Sequence, residues 1–146
     1  INAIDQTSLT VRGNVSAISN SERELEFVFT GNSTLDIDGD VFLQGSANDN
    51  LTMSAYGTSR FFFGGDIIMD FPTLPNPSLF YFSSVSPNIT TVTFNGAANQ
   101  TVPGAETYGN LVIDNPDHVT LSGNITVNNQ LSLVNGKMLA PGMKVA

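Results

Sequence analysis

Residues 35–43 read LDIDGDVFL and residues 61–69 read FFFGGDIIM, two stretches set one 26-residue step apart that keep apolar residues at every second position on either side of a central glycine. Leu35, Ile37, Gly39, Val41 and Leu43 share one face, as do Phe61, Phe63, Gly65, Ile67 and Met69. Period-two alternation marks strands with one buried face. A glycine kept on that face predicts a bend where a side chain would collide with the core.

The unit apolar-x-apolar-x-Gly recurs outward from these stretches, as LTVRG at 9–13, VTFNG at 92–96 and VTLSG at 119–123. The five glycines, Gly13, Gly39, Gly65, Gly96 and Gly123, follow one another at steps of 26, 26, 31 and 27. The long interval contains a loop at 72–78 with three prolines, and about five inserted residues there would restore the register. In four copies the glycine is followed by Asn or Asp and then Val or Ile: Asn14-Val15, Asp40-Val41, Asp66-Ile67 and Asn124-Ile125. The fourth copy has Ala97-Ala98 instead. Second apolar runs, Leu25-Phe27-Phe29, Leu51-Met53-Ala55 and Leu111 to Ile113, alternate with turn-formers. No segment has a helical period.

A repeat of this length fits one coil of a right-handed parallel β-helix, because each coil leaves an apolar face that only the next can cover. The expected fold is all-β: a single β-solenoid domain spanning 1–146, of about five coils, with an insertion at 72–78. The competing architecture is an antiparallel β-sandwich in which each repeat is a strand pair. The tail from Met138 reads as the entry to another coil, so a fragment of a longer repeat protein or end-to-end self-association is expected.

Composition narrows the function. Thirteen acidic against 5 basic residues give a net charge of −8. That balance excludes a phosphate-binding face, hence nucleic acid, and electrostatic docking on an anionic membrane. No apolar run is long enough for a membrane helix, so no membrane insertion is expected. There is no cysteine, and polar uncharged residues dominate the rest, as in extracellular β proteins.

The segment 92–138 resembles repeats of large secreted surface proteins of Bacteroidetes, many exported by the type IX system. The resemblance rests on the FNG and QTV phrase at 94–102, NLVIDN at 110–115 and VTLSGNITVNNQLSLVNGK at 119–137. It covers about a third of the chain; the first 90 residues match only through the shared repeat. It is also similar to autotransporter passenger repeats. It implies an adhesin-like β-helical segment at the cell surface and carries over no catalytic residue. Glycans or other surface proteins are the implied partners.

Three groups are candidate sites. Asp36, Asp38, Asp40 and Asp66 form an acidic column that bound Ca²⁺ would relieve of repulsion. The alternative is a solvated ladder with Arg12 against Asp38. The DIDGD phrase lacks the downstream Glu of an EF-hand. Asn14, Asp40, Asp66 and Asn124 are expected to hydrogen-bond neighbouring backbone at a corner. Phe42, Phe62 and Ile68 point outward by the alternation, beside Phe71, Phe80 and Phe82. They form a ligand-binding patch for a partner or a sugar unless 72–78 covers them.

Catalysis has little support. The five basic residues are scattered, and His118 stands in a turn after Asp114 and Asp117 with no nucleophile motif. A polysaccharide-binding or polysaccharide-degrading β-helix, calcium-assisted, is the alternative to a non-catalytic scaffold; a virus-like fibre subunit is the third reading. Six Asn-x-Ser/Thr sequons, at Asn14, Asn32, Asn50, Asn88, Asn99 and Asn124, follow from composition in a bacterial chain. Thr91 and Thr93 are not repeated as an ice-binding ladder.

Overall fold

The computed structural model describes residues 2–18, 25–45, 51–70, 80–82, 89–104 and 106–146. Among them there is no helix. In chain order the strands are β1 (Asn2–Ala3), β2 (Ser8–Val11), β3 (Val15–Ile18), β4 (Leu25–Phe29), β5 (Thr34–Ile37), β6 (Val41–Gln44), β7 (Leu51–Ala55) and β8 (Arg60–Phe63). They continue with β9 (Ile67–Asp70), β10 (Phe80–Phe82), β11 (Thr91–Phe94), β12 (Gln100–Val102), β13 (Thr107–Asp114), β14 (Val119–Leu121), β15 (Thr126–Asn135) and β16 (Met138–Leu139).

Every ladder between these strands is parallel, so the antiparallel pairing of a sandwich is absent from the described residues. The strands form four sheets: β1-β4-β7-β10, β15-β13-β11-β8-β5-β2, β3-β6-β9 and β12-β14-β16. Up to β11 the chain visits the first three in rotation. From β12 onward it alternates between the second and the fourth.

The register reports this change as a change of step. Leu9 pairs with Leu35 and Leu35 with Phe61, each a step of 26. Phe61 pairs with Val92, a step of 31. Val92 then pairs with Leu111, a step of 19, and Leu111 with Leu131, a step of 20 across a register shift. The expected fifth copy is therefore out of place. VTLSG does not stack on VTFNG; Val119 to Leu121 lie on Gln100 to Val102 in another sheet, and Gly123 stacks on Gly104. Leu111 and Ile113 take the place over Val92 and Phe94. The longest sheet has six rungs because the 19-residue step adds one that the glycine count misses.

The five extra residues of the long step are also redistributed. Met53 pairs with Phe80, a step of 27, so the stretch holding the prolines contributes one of them. The other four fall between Phe82 and Thr91. Residues 71–79 and 83–88, including Phe71 and the loop at 72–78, lie outside the described residues.

A single apolar core runs through the sheets. Phe29 and Ala55 enter it from the first sheet; Leu35, Phe61, Phe63, Phe94 and Ile113 from the second; Val41 and Leu43 from the third; Val102 and Leu121 from the fourth. The Phe29 ring meets Phe61 edge-on at 5.0 Å between centroids, and Phe63 lies 5.8 Å from Phe94. Such contacts add to burial because ring edges and faces carry opposite partial charge.

The turns between the first and second sheets are held from inside by hydroxyls. Ser33 and Ser59 are fully buried and donate to the carbonyls of Thr30 (2.7 Å) and Tyr56 (2.9 Å). Buried hydroxyls need such partners. Gly31 and Gly57 stack in these turns with φ of +67° and +80°, a region that side chains strain to adopt.

Candidate functional site

The corner between the second and third sheets is built by Arg12-Gly13-Asn14, Asp38-Gly39-Asp40 and Gly64-Gly65-Asp66. Side chains climb it by binding backbone. The Asp40 N–H donates to Asn14 Oδ1 at 2.9 Å, the Asp66 N–H to Asp40 Oδ1 at 2.9 Å, and the Thr101 N–H to Asp66 Oδ1 at 2.7 Å. The Lys144 N–H donates likewise to Asn124 Oδ1 at 2.8 Å. An acceptor placed on a turn N–H satisfies a donor that no ladder reaches.

Glycine is required here for a different reason from the one the alternation suggests. A Cβ on Gly65 would lie 2.5 Å from the Gly39 carbonyl carbon, and one on Gly39 would lie 2.7 Å from that of Gly13. The collision is with the backbone of the rung beneath, not with the core, because the corner glycines stack on one another.

Above this corner Gln100 is buried and makes four hydrogen bonds. Its Nε2 donates to the carbonyls of Phe63 (2.8 Å) and Gly65 (2.7 Å); its Oε1 accepts from the Gly96 N–H (2.7 Å) and Asn115 Nδ2 (2.9 Å). Asn115, also buried, donates further to the Ala98 carbonyl at 2.7 Å. This pair joins the rungs of the first half to the shorter ones that follow. Sequence reading missed it, although Gln100 opens the QTV phrase.

Between these features lies an open groove of about 320 Å³, with Asp38, Asp40, Asp66, Asn99 and Gln100 among its lining residues. The structure brings three of the four expected acidic residues to it. Asp36 stands apart, on the outward face of β5 between Thr10 and Phe62. Arg12 reaches Asp38 at 3.4 Å as an exposed pair, of small energetic weight in water. One oxygen each of Asp40 and Asp66 is committed to backbone, and among the described residues no Ser, Cys, His or Lys lines the groove. Its chemistry is that of carboxylates and amides. Among the described residues no three His, Cys, Asp or Glu side chains group as a metal site.

The expected aromatic patch divides among three sheets. Phe42 and Ile68 are neighbours on β6 and β9, the first half-buried and the second exposed. Half-buried Phe62 belongs to β8, between Asp36 and Thr93. Register aligns Phe80 with Met53 and Phe82 with Ala55 on the first sheet. His118 contacts Asp117 at 2.8 Å in its turn. Thr91 and Thr93 have Arg60 and Phe62 beneath them and Asn110 and Val112 above, so no threonine ladder forms.

Compared with known proteins, the chain matches no family model, no curated protein and no solved structure.

Proposed function

We propose that the chain is a right-handed parallel β-solenoid that serves as a non-catalytic, adhesive scaffold in an extracellular protein of a bacterial cell surface. The rotation of the chain among sheets around one core supports the fold, and parallel crossovers are right-handed in nearly all proteins. Resemblance of residues 92–138 to Bacteroidetes surface repeats supports the location.

One observation carries the scaffold reading: one side-chain oxygen each of Asn14, Asp40 and Asp66 is spent on backbone, in succession up the corner. A catalytic cleft leaves its acid and base free to reach substrate. Here glycans or other surface proteins meet a rigid ladder.

The acid-and-amide groove favours a second reading, a polysaccharide-binding or polysaccharide-degrading β-helix assisted by Ca²⁺. A glycan array, run with reducing-sugar and unsaturated-product assays on acidic polysaccharides with and without Ca²⁺, separates the two. The scaffold reading predicts no turnover. Turnover abolished by Asp40→Ala or Asp66→Ala in a folded protein overturns it.

A further inference from the structure

Asparagine followed by glycine is the sequence in which a side-chain amide reacts most readily with its own backbone, because glycine has no Cβ to hinder the approach. Two such pairs occur, Asn95-Gly96 and Asn135-Gly136. The first lies inside the stack, just after β11, with β8 on one side and β13 on the other. It stands at the junction where the rungs shorten. Asn95 is exposed and Gly96 is buried.

Three contacts hold the pair. The Asn95 N–H donates to the Phe63 carbonyl at 3.1 Å, and the Gly96 N–H donates to Gln100 Oε1 at 2.7 Å. Gly96 sits so close to the rung beneath that a Cβ on it would lie 2.4 Å from the Gly64 carbonyl oxygen. Gln100 is itself fixed by its bonds to the Phe63 and Gly65 carbonyls and to Asn115 Nδ2. The Gly96 nitrogen is thus turned to a buried amide while the Asn95 side chain stands on the surface.

We propose that Asn95 is a latent self-modification site and that Gln100 keeps it shut. When the junction opens, the Gly96 nitrogen loses its proton and bonds to Asn95 Cγ. The Cγ–Nδ2 bond breaks, and Nδ2 leaves as ammonia with that proton. The succinimide so formed takes up one water at either carbonyl and opens to an aspartate or an isoaspartate at position 95. Ring closure requires the Gly96 N–H to leave Oε1 and its nitrogen to turn toward Cγ, so Gln100 blocks the first step. An isoaspartate adds one backbone atom between Phe94 and Gly96, where the Gly64 backbone leaves no room. The junction then cannot close again in register. The site records opening irreversibly, and so sets the lifetime of the fold apart from its equilibrium stability. This chemistry is independent of what the solenoid binds.

Parent, Gln100→Leu and Gln100→Glu chains are incubated at neutral pH, each shown to be folded by circular dichroism, beside the parent unfolded in urea. Fragment-ion mass spectrometry places the mass gain of an amide-to-acid change at position 95 apart from position 135. The folded parent is expected to convert at position 95 at least about tenfold more slowly than the unfolded chain, because reaction waits on local opening. Gln100→Leu is expected to convert about three- to tenfold faster than the folded parent, the rate equivalent of one net hydrogen bond. Gln100→Glu loses the donor to both carbonyls, as leucine does, yet keeps an oxygen for the Gly96 N–H in either protonation state. It is expected to convert more slowly than Gln100→Leu. A folded parent that converts at the unfolded rate overturns the proposal. So does Gln100→Leu converting at the parent's rate, or the two variants converting equally fast.

Discussion

Replacing Gln100 with Leu keeps most of the side-chain volume and removes four hydrogen bonds at the junction between the two kinds of rung. Two of the four partners keep another bond. The Phe63 carbonyl still accepts from the Asn95 N–H at 3.1 Å, and Asn115 still donates to the Ala98 carbonyl. The buried Gly96 N–H and the part-buried Gly65 carbonyl lose the bond that Gln100 supplies. A buried orphan costs about 1–3 kcal/mol and a part-buried bond about 0.5–1.5 kcal/mol, so the expected loss is about 3 kcal/mol. With a urea dependence of about 2 kcal/mol per molar, the midpoint falls by about 1.5 M. Urea titration followed by circular dichroism measures it, with Gln44→Ala as control, since the Gln44 bond to Asp70 (3.2 Å) is exposed. Gln100→Glu adds a signature in pH. Its carboxylate would face two carbonyl oxygens in a buried site, so its folded pKa lies above the roughly 4.3 of an unfolded Glu. Stability therefore recovers as pH falls toward about 4 and is lost as pH rises through the folded pKa. A Gln100→Leu midpoint within about 0.25 M of the parent, or no acid recovery in Gln100→Glu, refutes the reasoning.

Gly65→Ala forces a methyl group against the Gly39 backbone and is expected to cost about 1–3 kcal/mol by the same urea assay. Phe63→Ala removes a fully buried ring from the Phe61 and Phe94 cluster and should cost about 3–5 kcal/mol. Ser59→Ala leaves the Tyr56 carbonyl without its inward donor, for about 1 kcal/mol. Burial, and then the neighbouring Glu106 charge, hold the Tyr108 phenol well above 10. Its contribution to stability is present below about pH 10 and declines as pH rises beyond that, because the unfolded phenol ionises first. Tyrosinate absorbance, with Tyr108→Phe subtracted, should show this phenol un-ionised until the fold opens.

Much of the first half was legible because its signals are local and evenly spaced. Leu35, Ile37, Val41 and Leu43 alternate without interruption and are all buried, and Gly13, Gly39 and Gly65 mark one corner at a constant step. The second half misled because Gly96 and Gly123 stand one 27-residue step apart by coincidence, close enough to the earlier spacing to pass as one more copy. The true step of 19 is written in Val92 and Leu111, with Leu131 following, and no glycine marks it. At the site, the backbone-binding role of Asn14, Asp40 and Asp66 was readable from residue type and position. Gln100 and the buried Ser33 and Ser59 were not, since nothing in a Gln or Ser says which face it occupies until register is known. The acidic column lost Asp36 because strand alternation stops where β5 ends at Ile37: Asp38 and Asp40 belong to the corner, whereas Asp36 stays on the outward face of β5.

Parallel in-register stacking, with a step that shortens where Leu111 follows Val92, is the central claim, and inter-strand nuclear Overhauser contacts test it most directly. The account predicts contacts linking Leu35 to Phe61, Phe61 to Val92, Val92 to Leu111 and Leu111 to Leu131, with the even Hα-to-amide pattern of parallel strands. Close Hα-to-Hα contacts between these strands, or contacts joining Val92 to Val119, would contradict it.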